Sequence, residues 1–209
     1  MPYNWPALII ALLVLFYWGR VLYMVFQTRR HGGRANLVPP EPLGRLLRIV
    51  WIPTVTLWIG IPMATAFVPH PEHHWPLALR LWTMPWLAWA GVVIALAAYV
   101  ATRLCWRRMG SAWRMGIDPH ERPPLIVTGA FAYVRHPIYA LSSLLMLCSM
   151  VAVCSPTMIG VGLVHILLLQ WEARREERYL LASHGQEYRE YMARTRRFWP
   201  GRRRVKSGS

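Results

Sequence analysis

Apolar residues along this chain come in blocks rather than in alternation with polar ones. Residues 7–26, 46–68 and 82–100 are nearly continuous apolar segments, each supplying the roughly 20 helical residues that cross a hydrocarbon core of about 30 Å. Three membrane helices are predicted there. After a polar, arginine-rich stretch, two shorter apolar runs follow at 138–153 and 158–171, separated by Cys154-Ser155-Pro156. Both are short for spans, and a proline at a first helical position ends any continuous reading, so the pair is predicted to form a tight helical hairpin. The expected fold class is all-α: a polytopic membrane protein with about five transmembrane helices and a cytoplasmic helical C-terminal extension. The expected division is 1–102 for the three N-terminal spans, 103–200 for the polar stretch, hairpin and extension, and 201–209 for a basic, disordered, lipid-facing tail.

Composition sharpens this. Of 209 residues, 55% are hydrophobic and 16% charged, against about a quarter charged in soluble domains, which excludes a water-soluble single-core enzyme. The 24 Lys and Arg against 9 Asp and Glu give a net charge of +15. A nucleic-acid-binding domain would not be more than half apolar, so no nucleic acid is expected and anionic lipid headgroups are the expected partner of this charge. Of the 24 basic residues, 22 fall in 27–48, in 103–135 or after 171. The exceptions are Arg80 and Arg20, the latter near the end of the first span, where it can snorkel. Because basic residues accumulate on the cytoplasmic side, the N-terminus is expected outside and the C-terminus in the cytoplasm. The first apolar block lacks a basic n-region and a cleavage site and reads as a retained span. The expected location is a bacterial inner membrane or an intracellular membrane. Three cysteines without a CxxC pair predict neither a disulfide framework nor a metal site. Trp5, Trp51, Trp75, Trp82, Trp106, Trp113, Trp171 and Trp199 lie near span ends and read as an aromatic belt.

Neither GxGxxG, GxxxxGK[ST] nor GxSxG occurs. The cluster His70-Pro71-Glu72-His73-His74 reads as a solvated loop rather than a metal site. Two stretches carry candidate chemistry. Arg135 and His136 precede Pro137 at the start of the fourth apolar run, where cationic side chains and free helix N–H groups make either an anion site or a basic anchor with a capping proline. Further on, His165, Leu169, Glu172, Glu176 and Tyr179 follow spacings that place them on one helical stripe. Glu172 lies at the membrane boundary and requires a task or a partner, such as Arg175, Arg178 or an arginine of another helix. His165 reads as a hydrogen-bonded packing residue.

Together these stretches resemble the membrane methyltransferase group that includes isoprenylcysteine carboxyl methyltransferases and phospholipid N-methyltransferases. The resemblance rests on Leu125-Ile126-Val127-Thr128-Gly129, Phe131, Arg135-His136-Pro137-Ile138-Tyr139, Glu176-Glu177-Arg178-Tyr179-Leu180, Gly185, Tyr188, Tyr191 and Arg197-Phe198-Trp199-Pro200. It implies an integral membrane methyltransferase using S-adenosylmethionine, with S-adenosylhomocysteine as product, on a lipophilic acceptor arriving from the bilayer. By motif position it implies that Pro123, Pro124, Leu125, Ile126 and Phe131 contact the cofactor, together with His136, Pro137, Ile138, Tyr139 and Glu176. In the isoprenylcysteine enzymes an arginine four residues before the first motif glutamate engages the substrate carboxylate. Here that position is Glu172, which is expected at the substrate and implies either a neutral or amine-bearing acceptor or replacement of the arginine by Arg175 or Arg197. The competing readings are a membrane reductase of the sterol type using NADPH, which needs more spans than five, and a non-enzymatic membrane protein in which Arg135, His136 and Glu176 form structural ion pairs.

Overall fold

The protein's structure, a computed structural model, describes residues 4–30, 42–67, 84–113 and 124–200. The histidine cluster, the basic tail, Pro123 and most of the 110–124 connection lie outside the described residues. Among the described residues five apolar helices follow one another: α1 (Trp5–Arg30), α2 (Pro42–Phe67), α3 (Pro85–Met109), α4 (Pro137–Val153) and α5 (Pro156–His184); a short polar helix, α6 (Gln186–Arg194), comes after them. Among the described residues, α1, α2, α3 and α5 are long and apolar enough to cross a membrane. The 17 residues of α4 rise only about 25 Å, short of a full span. The protein is an all-α, multi-pass membrane protein.

The expected hairpin forms where the breaker lies. Cys154 takes a left-handed conformation at φ 42°, Ser155 caps α5 by accepting a hydrogen bond from the Met158 N–H at 3.2 Å, and Pro156 occupies the first turn. Two helices exceed their sequence expectations. α3 runs past residue 100 to Met109, so that Arg103, Arg107 and Arg108 are helical and the expected division at residue 102 falls inside a helix. Arginine is a good helix former, and its charged head reaches the polar zone from the end of a span. α5 has 29 residues and rises about 43 Å, more than a dozen ångströms beyond a hydrocarbon core. Its last two turns, from about Glu176 onward, are therefore long enough to stand clear of the core, with Glu172 near its boundary.

Packing departs from the hairpin picture in one respect. α4 makes its most extensive contact with α3 rather than with its hairpin partner α5. Gly91 of α3 lies against the Cys148 backbone, where a Cβ would sit 3.4 Å from the carbonyl oxygen. Small residues at such crossings let backbones approach and gain dispersion contact where no hydrophobic drive separates helix from lipid. The shared core includes Ile10, Val14, Trp58, Leu145, Met146 and Met158, all nearly inaccessible, whereas Phe16, Ile52, Val93 and Leu167 are more than 60% exposed on the outer faces. The tryptophans divide as well. Trp5 and Trp199 stay outside, but Trp51 and Trp106, expected in the belt, are buried between helices. An indole at a span end can face inward as well as toward headgroups, and position along the chain does not distinguish the two.

Replacing Gly91 by leucine is expected to push α3 off α4 and to lower stability by about 1–3 kcal/mol, the usual penalty of overpacking. Gly60, with nothing near its Cβ position, provides the control. Thermal unfolding in detergent should show a lowered midpoint for Gly91→Leu and little change for Gly60→Leu.

Candidate functional site

The site is assembled at the end of the bundle where α1, α3 and α5 finish and α2 and α4 begin. The segment before α4 forms a one-turn helix at Gly129–Ala132 and then a short extended stretch. Gly185 at φ 54° ends α5, a left-handed backbone that suits glycine, and α6 folds back from it. The chain after α6 then runs alongside the start of α4. Val134 pairs in parallel with Arg196, the Arg135 N–H donates to the Arg196 carbonyl at 2.9 Å, and the His136 N–H donates to the Arg197 carbonyl at 3.1 Å. Tyr191 fixes the same junction by donating to the Phe131 carbonyl at 2.6 Å.

One carboxylate locks these segments together. Glu177, with 5% of its side chain exposed, accepts from Arg135 Nε at 2.9 Å and Arg197 Nε at 3.0 Å, and from Arg197 Nη2 on its other oxygen. Arg135 Nη1 also donates to the carbonyls of Met192 and Thr195. The His136 ring lies between two glutamates, Nδ1 3.4 Å from Glu176 and Nε2 3.4 Å from Glu177. Burial opposes a charge on this imidazole, but the hydrogen bonds and negative charges of Glu176 and Glu177 outweigh it, so His136 titrates above its ordinary value of 6.5. The expected anion site at Arg135 and His136 is thus filled by the protein's own carboxylates. Glu176 faces the opening instead: 37% of its side chain is exposed, and Tyr139, stacked flat on His136 at 5.3 Å, hydrogen bonds to it.

Glu176 opens onto a cavity whose walls come from every long helix. Tyr17, Trp18 and Val21 represent α1, Arg48 and Trp51 α2, and Trp106 and Met109 α3, with Trp113 just beyond. Leu169, Glu172 and Glu176 line up on α5 as the stripe predicts, with His165 one turn deeper, bonded to the Ser142 hydroxyl at 3.1 Å. Phe131, His136, Pro137, Ile138 and Tyr139 line the same cavity. Pro124, Leu125 and Ile126 do not, and Pro123 is outside the described residues. Glu172 has the partners its position demands: Arg48 at 3.0 Å and Arg175 at 3.4 Å. Arg175 and Arg197, the arginines expected to replace the missing one, do not line the cavity. The first turns toward Glu172 and the second is held on Glu177.

Residues 89–182 match the profile of the isoprenylcysteine carboxyl methyltransferase family. No curated protein matches the chain. The methyltransferase match runs from the second turn of α3 almost to the end of α5 and takes in His136, Tyr139, Glu172 and Glu176. It leaves out α1, α2 and the returning segment with Arg197. Part of the cavity is thus built by helices outside the matched region.

Several site residues were not visible in the sequence. Arg48, Trp18 and Trp51 sit in spans without a motif, and only the unpaired charge of Glu172 hinted that an arginine of another helix would come to meet it. Glu177 stood inside the motif but off the predicted stripe.

Two outcomes are expected. A group whose pKa is raised on folding contributes stability that is present at low pH and lost as pH rises through the raised value. Thermal stability of the protein in detergent should therefore fall as pH increases from 6.5 upward, and His136→Gln should flatten that slope. Glu177→Gln removes the counter-charge shared by the largely buried Arg135 side chain and the half-buried Arg197 and should cost about 3 kcal/mol, read as a lowered unfolding midpoint in the same assay.

Proposed function

We propose that the cavity binds S-adenosylmethionine and that the protein transfers its methyl group to a lipophilic acceptor entering from the bilayer. The observation that carries this reading is Glu176, a carboxylate held open toward an aromatic-walled cavity by His136 and Tyr139, at the junction of the two family motifs. The donor set suits such a cofactor. Glu176 offers acceptors to its ammonium or ribose hydroxyls, the faces of Tyr139, Trp106 and Trp113 suit a sulfonium, and Phe131 offers an apolar face to adenine.

When bound, the cofactor supplies an activated methyl group. The chain's own task is alignment and exclusion of water, since orientation of two reactants alone can contribute on the order of 7 to 11 kcal/mol. Pro137 and the Glu177 lock fix the start of α4, and the indoles of Trp51 and Trp106 close the cavity from the bundle side. By the distribution of basic residues, the opening lies at the cytoplasmic face, where a water-soluble donor enters while an apolar acceptor arrives between helices.

Calorimetric titration of the detergent-purified protein with S-adenosylhomocysteine tests this reading. Saturable binding is expected, weakened about tenfold or more in Glu176→Ala by loss of a charge-assisted hydrogen bond. Absence of binding in a folded sample, or saturable binding of NADPH in its place, would remove the methyltransferase assignment of the cavity.

A further inference from the structure

Beneath the charged end of the cavity lies a second polar group. Tyr17 of α1 and Ser142 of α4 line the cavity, and Ser142 is hydrogen-bonded to His165 of α5 at 3.1 Å and to the Tyr17 phenol. All three side chains are nearly inaccessible, and His165 Nδ1 is buried without a partner. His165 precedes Glu172 by seven residues, a helical rise of about 10 Å toward the middle of the bilayer. A polar group at that depth calls for a partner in the bundle or a task. The plain explanation is a bond that holds helices together, and α4 shows such a bond two turns on. There Ser149 accepts from Trp58 Nε1 at 2.8 Å and donates to the Leu145 carbonyl at 2.9 Å. That pair uses all its hydrogens and lines no part of the cavity. The group at Ser142 differs on both counts. Among the described residues nothing charged stands beside Tyr17 or His165, so the imidazole carries one hydrogen, as do the serine and the phenol. Three hydrogens therefore serve two bonds. If the phenol donated to Ser142 and Ser142 to Nε2, the third would sit on Nδ1 as a buried N–H without an acceptor, an orphan that folded proteins avoid. With Nε2–H donating to Ser142 instead, Nδ1 keeps only a bare lone pair. The spare hydrogen is then a hydroxyl hydrogen of Tyr17 or Ser142, both on the cavity wall.

We propose that this floor is an uncharged donor site, at which the Tyr17–Ser142 hydroxyl pair, oriented by His165, gives a hydrogen bond to a carbonyl oxygen of the lipophilic acceptor. The inference rests on the methyltransferase reading above. Depth and charge select the ligand. Arg48, Glu172, His136 and Glu176 gather at the cytoplasmic end of the cavity, whereas the floor has no counter-ion to offset the lost hydration of an ammonium or a carboxylate. A bare alkyl chain would leave the spare hydroxyl hydrogen without an acceptor. A ketone, ester or amide carbonyl supplies that acceptor without bringing a charge into the span. The site belongs to the acceptor rather than to the cofactor because Glu176 draws the cofactor to the opening, while a ligand from the bilayer reaches the deeper end. His165 touches no ligand on this arrangement. It is a positioning residue, whose ring hydrogen occupies a Ser142 lone pair and so turns a hydroxyl hydrogen toward the cavity.

The test uses the full chain in detergent, saturated with S-adenosylhomocysteine and titrated with 2-tridecanone and with tridecane, which differ by one carbonyl oxygen. Quenching of the wall tryptophans reports binding, and comparing variants in the same detergent cancels partition of the ligands into micelles. The ratio of ketone to alkane affinity should fall about threefold to tenfold in Tyr17→Phe/Ser142→Ala, the scale of one neutral hydrogen bond. Affinity for S-adenosylhomocysteine should stay within about twofold in that variant, because Glu176 and His136 are untouched. Nitrogen NMR of ring-labelled histidine in the wild-type chain, with His165→Gln to assign the signal, should show a neutral His165 ring protonated at Nε2. This second measurement decides the matter if the double variant fails to fold. An unchanged ratio in a folded double variant overturns the proposal and leaves the three side chains as a bond between helices. Protonation of His165 at Nδ1 overturns it as well, because Ser142 then donates to the ring and no hydroxyl hydrogen is spare. So does a tenfold loss of S-adenosylhomocysteine affinity in the double variant, which would give the hydroxyls to the cofactor. Failure of the wild-type chain to bind S-adenosylhomocysteine instead overturns the methyltransferase reading beneath it.

Discussion

The Glu177 carboxylate is the interaction on which the active end of this molecule depends. Around it stand two arginines and a histidine from two places in the chain: Arg135 and His136 just before α4, and Arg197 in the returning segment. Without a common anion these cations would repel one another in a poorly solvated space, and each would carry a desolvation cost with nothing to offset it. With it, residues 135 and 197, more than sixty positions apart, have to stand side by side. The backbone hydrogen bonds between 135–136 and 196–197 then form at little further entropic cost, since the two segments are already held together.

This lock explains an arrangement that is otherwise wasteful. A basic motif beside a helix start looks built to receive an anion, yet Arg135 spends its donors on Glu177 and two carbonyls. The consequence appears one residue away. His136, held between two glutamates that raise its pKa against the cost of burial, positions Glu176 while Tyr139 holds the carboxylate from the other side. Glu176 is thereby the exposed member of an otherwise closed network, and the cavity gains an oriented negative group rather than a positive one. The unusual length of α5 serves the same end, because it brings Glu172 to the edge of the hydrocarbon and Glu176 and Glu177 to or past it, where charge can be paired.

Much of this was legible in the sequence, and the parts that were not share a cause. Spans, the hairpin at Cys154-Ser155-Pro156 and the α5 stripe follow from local rules: apolar run length, proline and capping chemistry, and the period of a helix. The resemblance pointed to Phe131, His136, Tyr139 and Glu176, which do converge on the cavity. Leu125 and Ile126 do not, because motif order says nothing about how far a loop stands from the pocket it leads into. The outward boundary of α3 was missed because arginines at a span end read as loop, although they are compatible with helix. Arg48, Trp51 and Trp106 were missed for a different reason. A residue in an apolar span faces either lipid or a neighbouring helix, and only tertiary packing decides which.

That last point bears on how such a protein divides its labour. The family match begins within α3 and ends within α5, and the groups it covers, His136, Tyr139 and Glu176, form one side of the cavity. The opposite side, Trp18, Arg48 and Trp51, belongs to helices outside the match. A site that joins two reactants must recognise both, and the two recognitions need not be held to the same sequence. The Arg48–Glu172 pair is where they meet, one partner on each side of that boundary. The pair ties α2 to α5 at the cavity wall, so a carboxylate inside the matched region depends for its counter-charge on a helix outside it. In a protein built this way, the helices that carry no motif set half of the cavity's walls, and its shape can change with them while the motif side stays fixed.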